Sequence, residues 1–318
     1  MMVAKAWSTQ QKSPQKVADE VFFSNDAVSL CLLVHRRAKT MRVIDFRAGA
    51  TSAKRMFVLS LAQREGVEKV YTLVERDEVA TWVKLGFAKE GNIPGFYKRS
   101  DAFLLGCSVD AATRATPAQS EMRISLHDSG NEHVEDVVDM AAHDLAEKTL
   151  VRAKKHAKEL VEQPLPIAKV APMREADAKK AVEKAQKAGR ALTAFEPFGR
   201  DVQRRYFTVT TRGGFELVIS TESQACFGNA FLELLTAPKN ASERLATVSS
   251  LRAICDKLHA EEVVTCFALA PSDDLAMATA FVFNGFRRTG LLQNHMVVGG
   301  ERKDAIIWSR KLMNPADE

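Results

Sequence analysis

Gly285-Phe286-Arg287-Arg288-Thr289-Gly290, GFRRTG, has an earlier counterpart in Gly86-Phe87-Ala88-Lys89-Glu90-Gly91, GFAKEG. Each is followed by an Asp-Ala pair that opens an apolar run, DAFLL from Asp101 and DAIIW from Asp304. Each is also preceded by an aromatic residue four positions before its first glycine, Trp82 in TWVKLGF and Phe281 in AFVFNGF. The two motifs lie a domain's length apart, far beyond the roughly 20–50-residue period of a solenoid. A duplicated domain is the reading that follows.

Working outward from each motif gives the same order of elements. Upstream of Gly86, the runs VADEVFF, AVSLCLLVHRR and TMRVIDFR are short, β-branched or aromatic, and separated by polar turns, which predicts three strands. TSAKRMFVLSLAQREG has helical spacing, a Thr51 or Ser52 cap and a stop at Gly66. VEKVYTLVE predicts a strand, DEVATWVKLG a short helix, and the stretch to Gly106 two more strands. In the second half, PIAKVAPM predicts a strand and EADAKKAVEKAQKAG a helix. A hairpin then turns at Arg212-Gly213-Gly214, followed by the strand AFLELLTAP and a long helix capped by Asn240 or Ser242. VVTCFALAP, DDLAMATAFVFNG and a closing hairpin complete the repeat.

Between the halves, 107–133 is polar and unpatterned, a linker by composition. Residues 134–163 predict a connecting helix with Val134, Val137, Val138, Ala141 and Leu145 in one stripe, ended by Pro164 and Pro166. The expected organisation is therefore a tail at 1–16, domains at 17–106 and 164–318, and the linker and helix between them.

Composition limits the function. The chain has 318 residues, 46% apolar and 27% charged, enough apolar side chain for two cores. Its net charge of +5 is interleaved with Glu rather than gathered into a stripe, so nucleic acid is not the expected partner. The five cysteines, Cys31, Cys107, Cys226, Cys255 and Cys266, form no CxxC pair and read as reduced thiols of a cytoplasmic protein, with no metal site. No apolar run approaches the ~20 residues of a membrane span, and none is expected.

A strand-rich order that closes with a helix running into Gly-Phe and then two strands resembles the GNAT superfamily of CoA-dependent N-acyltransferases. VAPMREADA at 170–178 is similar to that family's first strand and helix start. The resemblance covers about 165–313 as a complete unit and about 17–106 as one missing the first strand and helices. It implies an α/β fold of two mixed, mostly antiparallel sheets flanked by helices, with a charged helical connector. It also implies acetyl-CoA or a related acyl-CoA as cosubstrate and an amine acceptor. A catalytically inactive module with a protein partner is the alternative.

An acyl-CoA pyrophosphate needs free backbone amides at a helix N-terminus. Arg47-Ala48-Gly49-Ala50-Thr51-Ser52 in the first half resembles a degenerate form of the family's phosphate loop, with Ala and Ser where small glycines are expected, Arg47 supplying charge and Gly49 the close approach. The second-half loop carries Glu243 and Arg244, the glutamate being an unfavourable charge beside phosphate. The cofactor is therefore expected at Arg47, Gly49, Ala50, Thr51 and Ser52, with Asp77 and Trp82 nearby. The second half is expected to be inert. Candidates for moving protons are Asp45, Tyr97, Glu233 and His295. Flanking leucines in FLELL would desolvate Glu233, whereas strand alternation alone would turn it to solvent.

Overall fold

The computed structural model describes residues 19–26, 28–47, 49–109, 140–192, 198–200, 202–224, 227–238 and 240–313. Strands β1 (Asp19–Ser24), β2 (Ser29–His35) and β3 (Thr40–Asp45) lead to helix α1 (Ser52–Arg64). Then follow β4 (Lys69–Val74), α2 (Val79–Lys84), β5 (Ala88–Ile93) and β6 (Ala102–Ser108). After α3 (Met140–Leu160), β7 (Ala168–Met173) and α4 (Glu175–Lys187) precede the repeated order. That order is β8 (Gln203–Thr211), β9 (Glu216–Gln224), β10 (Asn229–Leu234), α5 (Ala241–Ala260), β11 (Thr265–Pro271), α6 (Leu275–Phe283), β12 (Arg287–Val298) and β13 (Glu301–Lys311).

All thirteen strands form one mixed sheet, ordered β1-β2-β3-β4-β6-β5-β12-β13-β11-β10-β9-β8-β7. Read outward from the β5–β12 contact, the two sides run through corresponding strands. In each, one parallel pair (β3–β4, β10–β11) sits among antiparallel neighbours. Alternation sends one set of side chains to helix-covered outer cores. Met41, Val70, Val74, Trp82 and Phe87 lie in one such core, and Ala230, Cys266, Phe281, Phe286 and Trp308 in the other. The opposite set meets face to face across the halves. Tyr71, Ile93, Phe96 and Leu104 of the first half pack with Phe198, Phe231, Phe267, Leu292 and Ile307 of the second. Asn229 Nδ2 donates to Phe96 O across this contact at 2.7 Å, and Arg42 Nη1 to Phe198 O at 2.8 Å.

The repeated motif has a physical role at each position. Gly86 and Gly285 take φ of 85° and 77°, the left-handed region that stops α2 and α6. The next residues donate back into those helices, Phe87 N to Trp82 O and Phe286 N to Phe281 O. Gly91 and Gly290 are direct partners where β5 meets β12. A Cβ on Gly290 would lie 2.5 Å from the Gly91 Cα, so only glycine fits this crossing. Asp101 and Asp304 accept from backbone amides of their own hairpins, Gly95 N at 2.9 Å and Asn294 N at 2.7 Å. Ala102 and Ala305 are fully buried in the shared core.

Helix α3 packs on α6, but not by the expected face. Ala141 is exposed and Leu145 is 45% exposed, while Ala142, Ala146, Thr149, Ala153 and Ala157 are buried. Small side chains let two helix backbones approach closely, and the alanine stripe, one position on from the expected one, provides that. Val134, Val137 and Val138, with the expected linker from residue 110 onward, lie outside the described residues. Strand β6 extends to Ser108, two residues past the expected boundary.

Candidate functional site

Both parallel pairs come apart before their strands end. β3 and β4 are in register from Thr40↔Lys69 to Val43↔Thr72, then separate ahead of Ile44 and Leu73. β10 and β11 are in register from Asn229↔Thr265 to Leu232↔Ala268, then separate ahead of Glu233 and Leu269. Each opening faces the start of a helix, α1 or α5. Their chemistry differs.

In the first half, Lys54 turns inward from the first turn of α1. Its ammonium donates to Asp45 Oδ2 at 2.5 Å and to Arg47 O at 2.8 Å, with side-chain exposures of 1% for Lys54 and 4% for Asp45. Trp82, expected near a cofactor, is buried with its ring facing this ammonium. Arg47 is exposed, and its guanidinium donates to the carbonyls of Asn25 and Asp26. Thr51 caps α1 by accepting from Lys54 N, leaving the first-turn amides of Ser52 and Ala53 without intrahelical acceptors. Gly49 adopts φ 144°, and Ala50 is exposed. Asp77 is exposed in a 3₁₀ turn and caps no helix, unlike Asp274, which accepts from Met277 N at 3.0 Å.

In the second half, α5 starts at Asn240, whose side chain accepts from Glu243 N. Glu243 pairs with Arg190 at 2.9 Å, so the carboxylate expected to repel phosphate is offset by a guanidinium. Beyond the separation of β10 and β11 lies a cavity of about 90 Å³. Phe231, Glu233, Leu269 and His295 line it from the second half, and His35, Thr40 and Tyr71 from the first. Glu233 is neither solvent-facing nor isolated. It takes 2.5 Å and 3.1 Å hydrogen bonds from Arg204 Nη2 and Ser220 Oγ. Arg204 also pairs with Glu222, whose carboxylate accepts from Phe198 N and Gly199 N and whose pKa burial pushes up.

His295 is presented by an irregularity in β12 between Leu292 and Met296. Its ring meets that of Tyr71 edge-on at 4.8 Å, and Nδ1 has no hydrogen-bond partner. Both ring nitrogens of His35 are likewise unpartnered. Burial, reinforced by Arg42 and Arg204, lowers the His35 pKa to about 4. Burial with Lys69, His35 and Arg302 lowers that of His295 to about 3. Both rings are neutral at physiological pH.

No family model and no curated protein matches this chain. Solved structures do. The ribosomal-protein-S18-alanine N-acetyltransferase from Escherichia coli is 17% identical over 48% of this chain and 99% of its own, with a TM-score of 0.36. Spermidine N-acetyltransferase from Vibrio cholerae, in complex with CoA and spermine, is 10% identical over 46% of this chain and 96% of its own, with a TM-score of 0.38. Each likeness spans about half of the chain.

The sequence-predicted residues thus fall into separate groups. Glu233 and His295 line one cavity. Asp45 and Trp82 surround Lys54. Tyr97 lies apart, packed on Phe96 and Phe227, with its phenol pushed up to about 12 by burial. Sequence reasoning missed His35, Tyr71, Lys54, Arg190 and Arg204. Alternation in SLCLLVH and KVYTLV was the one available signal, since it places His35 and Tyr71 opposite the helix-facing positions. Among the described residues no cluster of His, Cys, Asp and Glu has the makings of a metal site, and no helix is long and apolar enough to cross a membrane.

Proposed function

We propose that the chain is a tandem GNAT-like, acyl-CoA-dependent N-acyltransferase. Its units fall near 17–106 and 164–318, joined through 107–133 and the segment 134–163 that contains α3. The working opening is that of the second half. The observation that carries this reading is the cavity where β10 and β11 separate, which brings Glu233 and His295 together with Tyr71. The amides of Ala241 and Ser242, at the positive end of a 20-residue helix, would hold the pyrophosphate.

In the reaction the acceptor nitrogen attacks the thioester carbonyl, a C–N bond forms and the C–S bond breaks. The proton lost by the amine ends on the departing sulfur. Glu233 would receive the amine proton, and the Tyr71 hydroxyl, supplied by the other half, would protonate the thiolate. Neutral His295 orients by hydrogen bonding, because its pKa of about 3 makes it too weak a base for an ammonium.

Calorimetric titration with acetyl-CoA, paired with thiol release over a panel of amines, tests this. Binding should survive Arg47→Glu and weaken in Arg190→Glu. Loss of one charge-assisted contact is worth about 1.5–3 kcal/mol, roughly tenfold or more in Kd. Weakening confined to Arg47→Glu returns the cofactor to the loop Arg47–Ser52. No binding at all replaces the enzyme reading with a non-catalytic interaction module.

A further inference from the structure

We propose that the cavity between the halves is a binding site for a short carboxylate, with His35 and His295 as its hydrogen-bonding ends. The proposal stands on the cavity and not on acyl transfer. By the measure that gives about 90 Å³ here, one water needs only about 10–15 Å³, so the space suits a ligand of a few heavy atoms.

Its wall is mostly apolar, but it carries two buried imidazoles that a dry packing defect would lack. His35 is 1% exposed and His295 7% exposed, and three of their four ring nitrogens have no hydrogen-bond partner among the described residues. A buried polar group left unmatched costs about 1–3 kcal/mol, so two such rings in one wall call for a ligand that matches them. A neutral imidazole carries one N–H, and a carboxylate has two oxygens, one for each ring.

Charge selects the sign of the ligand. Arg42 on β3 and Arg204 on β8 bear on His35, and Lys69 on β4 and Arg302 on β13 bear on His295. The facing carboxylates are committed: Glu233 and Glu222 to Arg204, Glu90 to Lys69, and Glu68 to Arg302. Arg42 carries no carboxylate; its guanidinium meets the Phe198 carbonyl and ring. Of these four cations Arg42 alone pairs with no carboxylate among the described residues, so a carboxylate at the His35 end would meet a positive group still open to it, while an amine would be drawn to Glu233.

An anion between the rings favours their protonated forms, so binding takes up protons and strengthens as pH falls from neutrality, until the carboxylate itself is protonated in the ordinary carboxylic-acid range. The test titrates the full chain with sodium acetate in buffers of different ionisation heat. Methylammonium chloride and sodium chloride are the counter-probes. The expected result is saturable acetate binding with proton uptake, tightening by up to tenfold per pH unit for one proton. His35→Gln and His295→Gln should each reduce the proton uptake. Should either variant fail to fold, ring-nitrogen chemical shifts of both histidines in the wild-type chain report the same event. Absence of saturation, preference for methylammonium, equal competition by chloride, or histidine shifts unmoved by acetate would each overturn the proposal.

Discussion

The third residue of α1 is Lys54, and the third residue of α5 is Glu243. This reversal of charge separates two otherwise corresponding openings. In the first half the lysine turns in to Asp45, at the end of β3, and the pair is buried. In the second half the matching strand end is Leu234, and Glu243 turns to the partly exposed Arg190. The charge buried at this opening is instead the Glu233–Arg204 pair, and Glu233 lines the cavity. The repeated strand frame is thus compatible with opposite charges, and opposite side-chain directions, at its two helix starts.

Removing the buried Lys54 cation should have the largest effect. Lys54→Ala leaves the Asp45 carboxylate buried without its cation, which costs about 3–5 kcal/mol in urea denaturation. Lys54→Met with Asp45→Leu imitates the second half and should recover most of that loss. A cost below that of an exposed ion pair for the single variant would break the comparison.

Next comes pH. His35 has its folded pKa lowered from 6.5 to about 4, so the unfolded chain binds the proton more readily. Its contribution is fully present above pH 6.5 and is lost as pH falls toward 4, by about 3 kcal/mol at most. Buried Glu222, Glu90 and Asp274 have raised pKa values and act with the opposite sign, so the wild-type curve mixes both. The difference between wild type and His35→Gln isolates the histidine, and its slope should lie in that window.

Gly290→Ala should cost about 1–3 kcal/mol, the usual range for overpacking, because its Cβ would press on the backbone of Gly91. Gly213→Ala, with nothing within 4 Å and no left-handed φ, is the matched control and should be near neutral in thermal unfolding. Smallest is Arg190→Ala. The Arg190–Glu243 pair is partly exposed, so stability should fall by about 0.2–1 kcal/mol. Any acetyl-CoA affinity should drop further than that, sharpening the contrast between the two helix starts.

The element order was legible from the sequence because each strand and helix is bounded by local signals: Gly66, Gly86, Gly189 and Gly285 as stops, Thr51 and Asn240 as caps. The face of α3 was not. Its stripe of alanines carries little hydrophobic contrast, and Leu145 beside it drew the reading one position off. Glu233 and His295 were legible as isolated polar residues in apolar strands. Their shared cavity was not, because part of its wall comes from His35, Thr40 and Tyr71, residues that only the meeting of two sheet faces brings near. The inward turn of Lys54 was equally hidden, since a lysine in a first helical turn ordinarily points to water.

The crossing of Gly91 and Gly290 has a consequence for how this chain can vary. The two backbones occupy each other's Cβ space, so neither position can accept a side chain while the other stays in place. They form a single constraint written in two distant places. A library randomising both codons and selected for folded protein should return glycine at the two jointly, and a change at one should not be rescued by any residue at the other. Sequence drift is thereby coupled between halves whose helix starts have been free to diverge.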